Sequence, residues 1–146
     1  MYETVKTLHS YWAYLVLLVL IIATVNAIVK TLGDNEYEAS DFRKSLFTLI
    51  VSHIQLLIGL ALYFVSPRLQ IFSELGMGDI MKDSVNRLYL VEHPLINIVA
   101  VALITIGYSK HKKKRISKPK LKTIAIFYSI ALVLFLSRIP WSTWLG

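Results

Sequence analysis

The chain has 146 residues, of which 55% are hydrophobic and only 17% charged, and its mean hydropathy is +0.58. A soluble domain carries about 25% charged residues, so the composition excludes a water-soluble monomer, and its apolar richness excludes intrinsic disorder. The net charge is +7, but eight of the sixteen basic residues sit in one block, Lys110–Lys122, between two apolar runs; that placement predicts a membrane-orientation signal and a contact for anionic lipid headgroups, with no nucleic-acid partner.

Crossing a bilayer as a helix takes about 20 apolar residues. Four runs meet that length: Ser10–Thr31, Ser45–Val65, Leu88–Tyr108 and Thr123–Trp141. The first is too long for a cleaved signal peptide and lacks the small-residue cleavage pattern, so it is read as a span. Gly33-Asp34-Asn35 stops it, and the loop to Lys44 mixes acids and bases. Pro67 ends the second span, and the following loop predicts a short amphipathic helix near Asp79–Arg87. The basic block, broken by Pro119, links spans three and four, and Ile139-Pro140 closes the fourth. Residues 1–146 are thus expected to form one integral membrane domain with no room for a soluble one.

The predicted fold is all-α, a transmembrane four-helix bundle running up-down-up-down. Lys30, Arg43, Lys44 and the basic block fall on one side, and Lys6, Arg68, Lys82, Arg87 and Arg138 on the other. The positive-inside rule then places residues 109–122 in the cytoplasm of a bacterial inner membrane and both termini outside it. Tyr11, Trp12, Tyr14, Tyr63, Tyr89, Trp141 and Trp144 form an expected aromatic belt on the outer side, and Tyr108 marks the inner one.

Ionisable groups inside spans are functional candidates. Here they are His53 in the second span, Glu92 and His93 in the third, His9 at the mouth of the first and Arg138 at the outer end of the fourth. His111 lies in the basic loop and is expected to be solvated. Helical spacing puts Tyr89, His93, Asn97, Ala100 and Ile104 on one face; His9, Ala13, Val16, Leu20, Ala23 and Ala27 on another; and Ser52, Gln55, Gly59 and Tyr63 on a third, with His53 at its flank. Small and polar stripes of this kind turn towards neighbouring helices. The plainer reading is that each imidazole merely hydrogen-bonds across helices.

Neutral imidazole also ligates iron, copper and zinc, and facing helices of a bundle are a recurrent place for such sites. With no cysteine, thiolate and iron–sulfur sites and covalent haem attachment are excluded. Two histidines gripping one b-type haem, probed by depth, give His93 an offset of about 9–10 Å from both His53 and His9. The pair His53 and His93 is favoured because both lie within the hydrocarbon, with His9 as the alternative ligand, a supporting group or a quinone partner. Arg87, Arg138 and Arg68 are candidates for the propionates, and Gln55 and Asn97 for polar contacts at the cofactor. Glu92 pairs with Arg138 or Arg87, or carries protons at a quinol site. A phosphate-binding glycine loop, a His-Glu-x-x-His metalloprotease motif and a nucleophile elbow are all absent.

Leu8-His9-Ser10-Tyr11-Trp12, Ser52-His53-Ile54-Gln55-Leu56-Leu57-Ile58-Gly59, Glu92-His93-Pro94 and Ile139-Pro140-Trp141 together resemble a family of small four-span bacterial membrane proteins labelled cytochrome b-like. The second segment also resembles histidine-bearing helices of haem A synthase and cytochrome b561-type bundles. The resemblance implies haem b, with quinone as a further cofactor, and respiratory or quinol-linked electron transfer to a redox partner or within a larger membrane complex or homo-oligomer. The di-haem pattern needs four ligating histidines and only three are at hand, so one bis-histidine haem is expected. The alternatives are a haem-free structural or assembly subunit, a non-haem site of histidines with Glu92, and a small proton-relay transporter.

Overall fold

The computed structural model describes residues 1–144. In chain order the helices are α1 (Tyr2–Leu32), α2 (Ala39–Val65), a 3-10 turn (Pro67–Gln70), α3 (Ile71–Glu74), α4 (Met77–Lys82), α5 (Ser84–Arg87), a π-helical turn (Leu88–Glu92), α6 (His93–Lys113), α7 (Ser117–Ser137) and α8 (Trp141–Trp144). No strand occurs among the described residues. Four stretches are long and apolar enough to cross a membrane: Tyr2–Leu32, Ala39–Val65, Ser84–Lys113 and Ser117–Ser137. The protein is an all-α four-helix bundle of the multi-pass membrane type.

The helices reach further than the apolar runs because hydrogen bonding, unlike hydropathy, continues through polar residues. α6 carries on through the basic block to Lys113 and α7 starts at Ser117, so the expected loop shrinks to residues 114–116. Pro119 sits in the first turn of α7, where its missing N–H costs nothing. The amphipathic helix expected near Asp79–Arg87 is two short ones, α4 and α5, separated by Asp83, whose carboxylate caps α5 by accepting from the Val85 N–H at 3.0 Å.

α1 packs on α2 and α7, and α6 on α7 and α2, which makes a square of neighbours. Small residues let the backbones close in: Ala23 and Ala27 of α1, Ala100 of α6 and Ala131 of α7 are buried. Gly107 of α6 lies hard against the Phe127 side chain of α7, where no Cβ would fit. At the basic end, Lys30 of α1 reaches the buried Asp41 of α2 at 2.5 Å, and Asn26 donates to the same carboxylate at 2.7 Å. Tyr128 crosses the core from α7 to donate to the Ser45 carbonyl at 2.8 Å. Outward-facing Leu18, Val25, Phe47, Leu57 and Val133 are exposed, as a lipid-facing surface requires. The packed core occupies the middle and the basic end; the opposite end is hollow.

Candidate functional site

The hollow end is a cavity of about 360 Å³ lined by all four long helices and by the segment after α2. That volume lies within the range of cofactor pockets, about 300–1,000 Å³. Ala13, Val16, Leu56, Ile98, Val101 and Phe135 supply apolar wall, and His9, Ser52, Gln55, Tyr63, His93 and Asn97 supply the polar groups.

Two prolines shape the side around His93. Pro94 has no N–H to give to the Leu90 carbonyl one turn back, and its ring crowds that carbonyl. The helix widens there into the π turn Leu88–Glu92, and the Tyr63 hydroxyl of α2 donates to the freed Leu90 oxygen at 2.9 Å. Pro140 stops α7 just beyond Arg138, leaving the Arg138 carbonyl outside any helix. His93 Nδ1 donates to that oxygen at 2.8 Å. This bond selects the tautomer of the imidazole and leaves Nε2 as a free lone pair. Asn97 donates to the His93 carbonyl at 2.5 Å.

His9 enters from α1. Gln55 of α2 donates to the His9 carbonyl at 2.9 Å. Gly59, one turn further on, leaves the space its ring needs: a Cβ there would stand 3.1 Å from Cε1 and 3.6 Å from Nδ1 of His9. The His9 and His93 rings are neighbours in a T-shaped, edge-on arrangement, with centroids 6.1 Å apart and planes at 86°. Among the described residues neither Nε2 makes a hydrogen bond, while His9 Nδ1, Gln55 Oε1 and Ser52 Oγ are buried without a partner.

Two imidazoles from different helices would suffice to hold one metal ion between them. A metal–imidazole bond of about 2 Å, plus about 1.1 Å from nitrogen to ring centre, would put two rings on one metal about 6 Å apart. The separation of His9 and His93 matches, the wall beside them is apolar, and the His93 nitrogen next to the carbonyl is the one not needed for ligation. A site of three or more metal-ligating side chains does not occur among the described residues.

The expected pair His53 and His93 is not brought together. His53 is exposed on the outer surface, where Nδ1 donates to its own helix at Leu49 (2.8 Å) and Nε2 meets Thr105 of α6 at 3.2 Å. Thr105 lies twelve residues beyond His93 on α6, so His53 is about 18 Å from His93 along the axis. An aromatic belt would set Trp12 at the membrane surface and His9 above it. Trp12 instead reaches inwards to donate to the Val51 carbonyl at 2.9 Å, which carries His9 down to the level of Gln55 and Gly59.

Arg87 and Arg138 do not line the cavity. Both turn to Glu92, at 3.2 and 4.0 Å, and Glu92 is not a cavity residue either. The cations that do line it are Arg68 and Lys6. Lys6, expected only as an outer-side charge, stands one turn before His9 on the same face. His111 is not solvated: it is fully buried, donates from Nδ1 to the Tyr108 carbonyl at 2.5 Å and accepts the Tyr37 hydroxyl at 2.9 Å on Nε2. The extension of α6 to Lys113 turns it inwards as one more helical residue. It lies at the basic end, apart from the cavity, and ties the α1–α2 loop to α6.

No family model matches the chain, and no curated protein or solved structure matches it. The functional reading rests on the chain's own chemistry.

Proposed function

We propose that the protein is a membrane-embedded b-type cytochrome in which His9 and His93 bind one haem iron axially, and that it transfers electrons in a quinol-linked or respiratory chain. The observation that carries the reading is the pair of neighbouring imidazoles, each with Nε2 unengaged and their ring centres 6.1 Å apart, in a mostly apolar cavity between four membrane helices. Haem b held by two histidines supplies a one-electron centre with no open coordination position, which suits electron transfer rather than oxygen binding.

The chain's own contribution is orientation and exclusion. The Arg138 carbonyl fixes the His93 ring and raises its basicity. Gly59 and Gln55 set the height of His9. Apolar side chains make up most of the wall, and Ser66 and Arg68, just after α2, border the cavity at its end. The basic end, with Lys110–Lys122, faces the cytoplasm in this reading and meets anionic headgroups, so the haem lies near the opposite surface of a bacterial inner membrane. Electrons arrive there from quinol or leave to a redox partner or a larger complex. A non-haem site built with Glu92 finds less support, because that carboxylate is held by Arg87 and Arg138.

The test is one visible spectrum of detergent-purified protein, oxidised and dithionite-reduced, repeated on single variants. The expected result is a low-spin haem spectrum lost in His9→Ala and His93→Ala and kept in His53→Ala. Colourless protein from haem-replete cells refutes the proposal and favours a haem-free assembly subunit; loss of the spectrum only in His53→Ala refutes the ligand pair.

A further inference from the structure

The rim of the cavity carries two cations, Arg68 and Lys6, that pair with no acid among the described residues. Ser66 ends α2, and its hydroxyl accepts the Arg68 N–H at 3.2 Å, opening the 3-10 turn that starts at Pro67. The turn swings Arg68 back over the cavity, where its guanidinium lies 3.9 Å from the centre of the Tyr89 ring. Stacking on an aromatic face fixes the plane of a guanidinium and leaves its edge of N–H donors free. Lys6 of α1 lines the same cavity. Among the described residues neither side chain makes an ion pair or a hydrogen bond, whereas Arg87 and Arg138 are both drawn to Glu92. A half-buried, pre-oriented arginine with no acid is poised for an anion from outside the chain.

We infer that Arg68, stacked on Tyr89, forms with Lys6 a carboxylate-binding subsite at the rim of the histidine cavity. The ligand it selects has a flat apolar body to fill the cavity and acid groups that stay at its rim. The inference rests on the haem reading, in which these acids are the two propionates. A bidentate pair from the Arg68 fork to one carboxylate and a point contact from Lys6 to the other match the two kinds of cation. A lipid phosphate shares the chemistry of a carboxylate, and the test separates the two sources.

The experiment titrates the full-length haem-free protein with iron protoporphyrin IX and, separately, with its dimethyl ester, in neutral detergent. A second set uses nanodiscs of phosphatidylglycerol. The expected result is that wild-type protein binds the free acid about tenfold to a hundredfold more tightly than the ester, as charge-assisted hydrogen bonds require. Arg68→Gln should erase most of that preference while the bis-imidazole spectrum of the ester complex stays unchanged, and Arg68→Lys should retain part of it. The wild-type comparison needs no variant, so a variant that fails to fold leaves the result intact. Equal affinity for acid and ester overturns the subsite while leaving the haem reading standing; binding of neither porphyrin overturns the haem reading itself. A preference that exists in detergent but vanishes in phosphatidylglycerol assigns Arg68 to headgroup phosphate and overturns the carboxylate assignment.

Discussion

Gly59→Ala tests the histidine site without touching a ligand. The added Cβ would stand 3.1 Å from Cε1 and 3.6 Å from Nδ1 of His9, and no atom of any other residue lies within 4 Å of it outside the helix's own neighbouring backbone. Carbon atoms in contact settle at about 3.5–4.0 Å, so the His9 ring must retreat by about 0.4–0.9 Å. It can move only towards the cavity, which means towards the iron in the proposed complex. Overpacking of this size costs about 1–3 kcal/mol when it cannot relax. The haem-free protein relaxes into the hollow, so its unfolding in detergent should change by less than about 1 kcal/mol. The haem complex cannot, and its affinity should fall about five- to hundredfold, since each 1.4 kcal/mol is a factor of ten. Titration of the haem-free protein with haem, followed by the Soret band, gives the number. Gly76→Ala is the control, because a Cβ there meets nothing within 4 Å. If Gly59→Ala binds haem as tightly as wild type, His9 is not an axial ligand and the argument from ring separation fails.

The fold's polar ties give two further expectations. Tyr63→Phe removes the hydroxyl that occupies the Leu90 carbonyl freed by Pro94, which should destabilise the bundle by about 0.6–2 kcal/mol, the worth of an interhelical hydrogen bond in a membrane; reversible unfolding in mixed micelles measures it, and an unchanged midpoint would show that the widened turn needs no partner. At the basic end, burial first and the Asp41 charge second push the Tyr37 phenol up to about 12. A raised folded value means that Tyr37 supports the fold below about pH 10 and ceases to as pH rises towards 12. Wild-type protein should therefore lose stability across that window more steeply than Tyr37→Phe, and parallel alkaline unfolding curves for the two would contradict the assignment.

The bundle was legible because hydropathy and helical spacing are local properties: the buried faces Val16, Leu20, Ala23 and Ala27, and Ala100 and Ile104, fall where periodicity set them. The short connection at residues 114–116 was not, since a basic composition says how a segment meets water and not whether its backbone is helical. The site was legible in part. Spacing placed His93, Asn97, Gln55, Gly59 and Tyr63 on inward faces, and all line the cavity. It favoured His53 over His9 as the partner of His93, and the structure places His9 there instead, because that choice depends on how far α1 slides along α2, and the slide is set by the Trp12 contact with Val51 thirty-nine residues away. The roles of Arg68 and Arg87 depended in the same way on the 3-10 turn and on Glu92, which are tertiary outcomes.

Both prolines beside the site act by freeing a carbonyl, and the second makes a sharper prediction. Pro140 keeps the Arg138 oxygen out of a helical bond, so that His93 Nδ1 can take it. Pro140→Ala removes the bar to helix continuation, and the N–H of Ser142 then competes for the same oxygen four residues back. Losing the bond makes the imidazole a weaker base, which would disfavour ferric over ferrous iron, so the midpoint potential of the proposed haem complex should rise. A neutral hydrogen bond is worth about 0.5–1.5 kcal/mol, and 59 mV corresponds to a tenfold change for one electron, which bounds the rise at about 20–65 mV. Potentiometric titration reads the shift, and helical content by circular dichroism reports whether α7 has lengthened. A longer helix with an unmoved potential would mean that the Arg138 carbonyl only anchors α6 to α7 and does not tune His93.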